Sequence, residues 1–145
     1  MKRSARRVKS EDERLIPLVF DENLGSRRVE EALTTDGRYC AFTQFFHKGM
    51  KDPALIAKAG ELGVCVLTCD RAFYRLTVRV PEIKCHGARA IFIDKLGSAS
   101  SDKRIKVLTK AYPALRKFVQ RTPAPFSAKY NPATKTIEKA KFADD

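Results

Sequence analysis

Three short apolar runs, each followed directly by an aspartate, constrain the fold of this chain more than any other feature. They are residues 15–20, 64–69 and 90–93, and the aspartates that follow them are Asp21, Asp70 and Asp94. Continuous apolar runs of this length are too short for free-standing helices and are typical of strands buried on both faces of a parallel sheet. The chain is therefore expected to contain a parallel sheet whose strands end in carboxylates.

The segments between these runs have the periodicity of helices. Residues 26–35 carry apolar side chains at helical spacing, and Asp52 followed by Pro53 has the order typical of an N-cap and a first helical position. A Ser-rich link at residues 98–101 can cap a last helix, and residues 39–42 are expected to add a strand. This alternation predicts an α/β fold with three layers, α/β/α, around a central, mostly parallel sheet of about four strands.

The length of 145 residues suits a single domain with flanking segments. Residues 1–14 are expected to form a basic N-terminal arm and residues 15–121 the domain. Residues 122–145 contain three prolines among polar side chains and are expected to form a basic, loosely packed tail.

The net charge of +12, from 29 Lys and Arg against 17 Asp and Glu, is concentrated in the flanks. Residues 15–94 carry a net charge of only +1, whereas residues 95–145 carry +8. Such flanks attract polyanions through counterion release. No apolar run approaches the ~18 residues needed to span a bilayer, and the basic start lacks the apolar region of a secretory signal. We therefore expect a cytoplasmic protein without a membrane partner.

The aspartates predict a shared cation site. Ligands of open parallel sheets bind at the carboxyl ends of the strands, where Asp21, Asp70 and Asp94 are expected to lie. Asp52 begins a helix that starts near the same edge, and Thr68 shares a strand face with Asp70. Converging carboxylates repel one another unless a cation lies between them, and oxygen ligands of this kind suit Mg²⁺ or Mn²⁺. The alternative is that each aspartate is a turn or capping residue.

Three motifs occur in an order that resembles a known family. They are residues 20–24 (FDENL), 51–57 (KDPALIA) and 66–73 (VLTCDRAF). Together they are similar to compact PIN-like domains, in the branch related to VapC-type toxins, and the resemblance covers about residues 15–94. It implies metal-dependent hydrolysis of RNA phosphodiesters, often by the toxin component of a toxin–antitoxin pair. The acids that correspond to the family's catalytic and metal-binding acids are Asp21, Asp52 and Asp70.

One position departs from the family pattern. Many relatives have a second acid two residues after the last one, where this chain has Ala72. Glu22 or Asp94 are candidate substitutes, and Asn23 and Thr68 are further accessory candidates. A PIN-like module that binds RNA without cutting it is therefore a second hypothesis. A phosphoacceptor receiver, with Asp70 as the acceptor and Lys95 as its lysine, is a third.

Basic and aromatic residues near the acidic edge are candidates for RNA contacts. The expected partners are RNA, an antitoxin protein and a second copy of the chain. Phosphate contacts are predicted for Lys48, Lys51, Arg71 and Arg75; base stacking is considered for Phe45, Phe46 and Tyr74, and proton transfer for His47. The alternatives are solvated charges for the basic residues and core packing for the aromatic ones.

Overall fold

The computed structural model describes residues 15–79 and 82–142. Within these residues no helix is both long enough and apolar enough to cross a bilayer. The elements in chain order are β1 (Leu18–Phe20), α1 (Arg27–Leu33), α2 (Phe42–Phe45), α3 (Asp52–Leu62), β2 (Cys65–Thr68), α4 (Arg71–Arg79), α5 (Glu82–His86), β3 (Arg89–Ile93), α6 (Ser101–Arg121), β4 (Phe126–Asn131) and β5 (Thr136–Lys139).

The five strands form one sheet in the order β1-β2-β3-β4-β5. The first four strands are parallel, and β5 pairs antiparallel with β4. Phe20 pairs with Leu67, and Thr68 pairs with Phe92. The predicted α/β fold with a mostly parallel sheet is confirmed, although the sheet has one strand more than the expected number.

Helices cover both faces of the sheet because successive strand side chains point to opposite sides. Leu18 and Phe20 of β1 face a core that includes buried residues of α1 and α6. Val19, between them, faces a second core that includes residues of α3, α4 and α5. This arrangement produces the predicted three layers. It also explains why β1 reads as a continuous apolar run, since both of its faces are buried.

Residues 39–42 do not form the expected strand. Only Cys40 joins the sheet, through an isolated parallel bridge to Val19. Its N–H donates to the Leu18 carbonyl at 2.8 Å, and its carbonyl accepts from the Phe20 N–H at 3.1 Å. The chain then turns into α2 because this turn buries Phe42 and packs its ring 5.3 Å from that of Phe46.

The prediction of a loosely packed tail is wrong for residues 126–139, which form β4 and β5. Phe126, Ala128 and Tyr130 alternate along β4 and are buried in the same core as α1 and α6. The prolines at positions 123 and 125 precede the strand, so they do not interrupt its hydrogen bonds. The predicted basic arm, residues 1–14, lies outside the described residues.

Replacement of Phe126 by alanine tests whether the C-terminal strands belong to the core. Phe126 is 0% exposed, and its ring makes an edge contact with Phe118 at 5.2 Å between centroids. Its loss leaves a cavity, so we expect Phe126→Ala to lower the free energy of unfolding by about 3–5 kcal/mol. Urea denaturation measures this change. Ile137→Ala on the half-buried edge strand is the control, and equal effects of the two changes would contradict this placement.

Candidate active site

An acidic cavity of about 310 Å³ lies at the carboxyl ends of β1 and β2. Its walls contain the three predicted aspartates together with two of the accessory candidates, and its apolar rim comes from α2, α3 and the link between them. The lining residues are Asp21, Glu22, Asn23, Phe42, Met50, Asp52, Leu55 and Asp70. The structure therefore brings the predicted acids from three separate parts of the chain to one cavity.

Asp21 is the most buried of these acids, with 6% of its surface exposed. Its Oδ1 accepts a hydrogen bond from the Leu24 N–H at 2.7 Å. Burial raises its pKa to about 6, and the neighbouring charge of Asp70 contributes to the rise. Hydrogen bonds from the Thr68 hydroxyl and the Leu24 N–H oppose this increase in pKa. The folded protein thus holds a carboxylate that is costly to ionise without a cation.

Thr68 connects Asp21 to Asp70. Its buried hydroxyl is hydrogen-bonded to the Asp21 carboxylate and accepts from the Asp70 N–H at 2.9 Å. The Asp70 Oδ1 in turn accepts from the Ala72 N–H at 2.9 Å, so Asp70 caps the start of α4. Asp70 therefore has a capping role as well as its place in the cavity wall, and Thr68 is a positioning residue between the two acids.

Asp52 lies one position further into its helix than the sequence suggested. Helix α3 begins at Asp52, and the N-cap is Lys51, whose side chain makes no capping hydrogen bond. Partial burial raises the pKa of Asp52, and the charge of Asp70 adds to this effect. The expected N-cap role is therefore wrong, and capping does not account for this carboxylate beside Asp70.

The chemistry of this cavity fits a hard divalent cation, although its side chains are not gathered into a finished coordination shell. Within residues 15–79 and 82–142, no three His, Cys, Asp or Glu side chains stand close enough together to hold a metal ion. The fit rests on the donors, because three carboxylates line one cavity and Asp70 raises the pKa of the other two. A cation would relieve that repulsion, and the carboxylates would have to move closer to bind it.

Of the four accessory candidates, Glu22 and Asn23 line the cavity, and Thr68 and Asp94 do not. Glu22 is exposed and accepts from the Gly49 N–H at 3.2 Å, and the Asn23 side chain accepts from the Cys69 thiol at 3.4 Å. Asp94 does not line the acidic cavity. Its Oδ1 accepts from Nη2 of Arg71 at 3.3 Å and from the Lys95 N–H at 2.9 Å. This carboxylate therefore pairs with Arg71 at the end of β3, on the side of β2 away from β1.

The basic candidates have different surroundings. Lys51 is exposed directly before Asp52, and Lys48 lines a neighbouring cavity that shares Glu22 with the acidic one. Arg71 stacks over Phe92 at 5.6 Å while it pairs with Asp94. Arg75 is exposed on α4. Lys51 and Arg71 are each adjacent in the chain to an aspartate of the cavity, but Arg71 already has a carboxylate partner in Asp94.

The aromatic candidates are mostly engaged in packing. Phe46 is buried against Phe42, Phe45 packs on the second core, and Tyr74 stacks on Phe92 at 4.9 Å. His47, the candidate for proton transfer, is exposed, whereas the three aromatic candidates are not. Core packing thus accounts for Phe45 and Phe46, and stacking on Phe92 accounts for the half-buried ring of Tyr74.

Arg104 of α6 supports the site and was not identified from the sequence. Its guanidinium donates to the carbonyls of Asn23 and Leu24, which follow Asp21, at 2.9 and 3.2 Å. It also donates to the carbonyls of Leu96 and Gly97 at 3.1 Å each. One arginine therefore joins the loop after β1 to the loop after β3. No local sequence signal marks its contact with the loop after β1, because Asn23 and Leu24 lie about 80 residues away.

A family model described as a PIN-like domain matches residues 17–95, which is more than half of the chain. The chain therefore belongs to the PIN-like domain family, and its fold is of the nuclease type. The matched region contains all three cavity aspartates and ends before α6, β4 and β5. No curated protein and no solved structure matches the chain.

The pKa of Asp21 predicts how stability depends on pH in the metal-free protein. Because folding raises this pKa from 3.8 to about 6, the folded state holds the proton more tightly than the unfolded state. Stability from this group is present below about pH 4 and is lost as the pH rises through about 6, by up to about 3 kcal/mol. Asp21→Asn removes this loss, so its stability relative to wild type should increase over that range.

Urea denaturation of both proteins in EDTA between about pH 4 and pH 7 measures this difference. Comparison of the two proteins cancels the titration of other groups. Asp36→Asn, at an exposed carboxylate hydrogen-bonded to Arg38, should not show the same relative gain. Parallel pH profiles for wild type and Asp21→Asn would contradict the assignment of Asp21 as a destabilised buried acid.

Proposed function

We propose that this protein is a divalent-metal-dependent ribonuclease that hydrolyses RNA phosphodiesters. The observation that carries the proposal is the convergence of Asp21, Asp52 and Asp70 on one cavity at the carboxyl edge of a PIN-like sheet. Oxygen ligands of this kind suit Mg²⁺ or Mn²⁺. The net charge of +12 further supports a polyanionic substrate.

The residues of the cavity divide into ligands and positioning groups. Asp21, Asp52 and Asp70 would hold one or two ions, and a bound ion supplies an activated water and offsets charge on the phosphate. Thr68 keeps Asp21 and Asp70 in their relative positions through its hydroxyl group. Lys48 and Lys51 are proposed to contact substrate phosphates from the region next to the cavity. Hydrolysis of this kind needs no side-chain nucleophile.

A PIN-like module that binds RNA without cutting it is the second candidate. Two observations favour it: Ala72 stands where many relatives have a further acid, and no ready-made metal-binding group occurs among the residues the structure describes. The phosphoacceptor alternative is disfavoured because the chain belongs to the PIN-like family.

The biological role is a further proposal that rests on the family resemblance. We propose that the chain is the toxin component of a toxin–antitoxin pair, acts in the cytoplasm and binds an antitoxin protein. A homodimer also stays a prediction. Co-expression with the products of neighbouring genes and a growth assay would test the toxin role, and unimpaired growth during expression of the protein alone would count against it.

Binding of Mn²⁺ should stabilise the wild-type protein. A ligand present at about 100 times its Kd stabilises the folded state by about 2.7 kcal/mol, which a thermal shift at neutral pH detects. Asp21→Asn and Asp70→Asn should lose this shift because each removes a charged oxygen donor from the cavity. Asp36→Asn carries the same charge change outside the cavity and should keep it. An equal shift in all four proteins would contradict metal binding by the aspartates.

RNA cleavage tests the catalytic proposal directly. Structured and single-stranded RNAs are incubated with wild type in Mg²⁺ or Mn²⁺, and EDTA should stop cleavage. Thr68→Val should slow cleavage by roughly 10–100-fold, as is typical when a group that orients a metal ligand is lost. Asp21→Asn and Asp70→Asn should have larger effects, and Asp36→Asn should cut at the wild-type rate.

The outcomes of this assay separate the candidates. Cleavage that persists in both Asp21→Asn and Asp70→Asn would remove the catalytic site proposed here. Tight RNA binding by wild type without cleavage in either metal would favour the non-catalytic module.

A further inference from the structure

A second cavity, of about 470 Å³, lies between α6 and the hairpin of β4 and β5. Its charged wall consists of four lysines and one aspartate, and its apolar floor comes from one residue of α6 and two at the end of β4. The lysines are Lys103, Lys106, Lys110 and Lys135, and the other lining residues are Asp102, Val107, Tyr130 and Pro132. We call this cavity the lysine groove.

The positive charge of the lysine groove is not neutralised by the protein. None of its four lysines forms an ion pair with an acid in the described part of the chain. Asp102, the one acid in its wall, already accepts hydrogen bonds from Arg28. Four ammonium groups around one cavity repel one another, and a bound polyanion would remove this repulsion.

The lysine groove lies at the same edge of the sheet as the acidic cavity. Helix α6 starts at Ser101, shortly after β3 ends, and the turn that carries Lys135 follows the carboxyl end of β4. A further cavity, lined by Asp70, Lys95 and Ser98 among others, adjoins Asp70 on the side towards the start of α6. Arg104, between Lys103 and Lys106, holds the loop that follows Asp21.

Two lysines at this edge adopt a backbone conformation that is costly for lysine. Lys95 and Lys135 have positive φ angles of 66° and 59°, a conformation that favours glycine or asparagine. Lys135 is held there by its N–H, which donates to the Asn131 carbonyl at 2.7 Å. A charged side chain kept in a costly conformation beside a basic cavity is consistent with a binding role.

We propose that the lysine groove binds the phosphate backbone of RNA and directs the strand towards the acidic cavity. The proposal rests on RNA as the substrate of the proposed function. Lys103, Lys106 and Lys110 recur on successive turns of one helix face, about 5 Å apart along its axis, which suits a chain of phosphates. The groove is formed by elements beyond the matched family region.

The surroundings of the groove suit RNA as its occupant. Its cations are all lysines, and lysine is a common phosphate ligand that binds as a point charge. Its position beside an acidic cavity also suits a long substrate that passes from one to the other. An acidic polypeptide is therefore the alternative that the test must separate.

The test measures binding of a fluorescein-labelled oligouridylate of about 20 nucleotides by fluorescence anisotropy. All proteins carry Asp21→Asn, and EDTA is present, so neither cleavage nor metal is required. The triple variant Lys103→Gln, Lys106→Gln, Lys110→Gln is compared with the matched control Lys58→Gln, Lys117→Gln, Lys139→Gln, whose positions do not line the groove. Thermal melting checks that both variants are folded.

We expect the groove variant to bind roughly 10–100-fold more weakly, with a salt dependence reduced by about 2 in the slope of log K against log salt. The control should weaken binding by less than about 3-fold, because exposed charges far from the RNA are screened. Lys135→Asn should also weaken binding while it raises the melting temperature, since asparagine tolerates the left-handed backbone. A loss of folding cannot produce that combination.

Equal affinities and salt slopes in the groove variant and the control would overturn the proposal. Groove-dependent binding of labelled polyglutamate, without groove-dependent binding of the RNA, would overturn it in favour of an acidic protein partner. The ribonuclease proposal can fail independently of the groove proposal. If the protein binds RNA through the groove but cuts no RNA, the groove proposal is supported and the ribonuclease proposal is contradicted.

Discussion

The carboxylate of Asp21 is fixed at the end of β1 because Phe20 pairs with Leu67, which places Asp21 beside Thr68 of the neighbouring strand. Thr68 then binds both the Asp21 carboxylate and the Asp70 N–H. A single parallel register therefore determines the distance between the two acids. A slip of one residue would turn every side chain of β1 to the opposite face and would move Asp21 away from Thr68.

This arrangement has an energetic cost that the rest of the fold must offset. Burial raises the pKa of Asp21 to about 6, which means that the charged form opposes folding at neutral pH. Helix α6 helps to hold the segment that contains β1. Its Leu108 carbonyl accepts from the Tyr39 hydroxyl at 2.6 Å, and its Arg116 donates to the Ile16 carbonyl at 2.7 Å. Together with Arg104, these contacts join both ends of residues 16–39 to a helix beyond the matched region. The C-terminal elements are therefore part of what positions the acidic edge.

Local rules were sufficient for much of this fold. The runs that became β1, β2 and β3 are buried on both faces and so read as strands, and Ser26 and Ser100 cap their helices through hydrogen bonds to Val29 and Lys103. Asp21 and Asp70 were found because the parallel sheet brings strand ends together, and Asp52 because its helix begins near the same edge. What the sequence did not reveal depends on distant partners. Asp94, which does not line the acidic cavity, is instead paired with Arg71, 23 residues earlier in the chain.

The strands β4 and β5 were not predicted from the sequence for a different reason. In β4 the apolar residues alternate with Ser127 and Lys129, and Ser127 is nevertheless buried because its hydroxyl is hydrogen-bonded to that of Thr77, 2.8 Å away. Only the completed structure supplies that partner, so composition alone suggested a polar tail. For residues 39–42 the error was the opposite one, because a strand was predicted that does not form. Tyr39 packs on Phe20 and Phe42 packs in α2, and of these residues only Cys40 reaches the sheet, through one bridge.

At this edge of the sheet the acidic cavity and the lysine groove are separate, and ion pairing explains why this separation matters. Where Arg71 lies within reach of Asp94, the two form an ion pair, and a carboxylate so occupied is a poorer ligand for a cation. Lysines placed inside the acidic cavity would pair with Asp21 or Asp70 in the same way. Lysines on α6 can instead attract phosphates while the three acids keep their charge free for a metal. The rigid connection through Arg104 then fixes the distance between the two regions, and an RNA strand long enough to occupy both would gain from each.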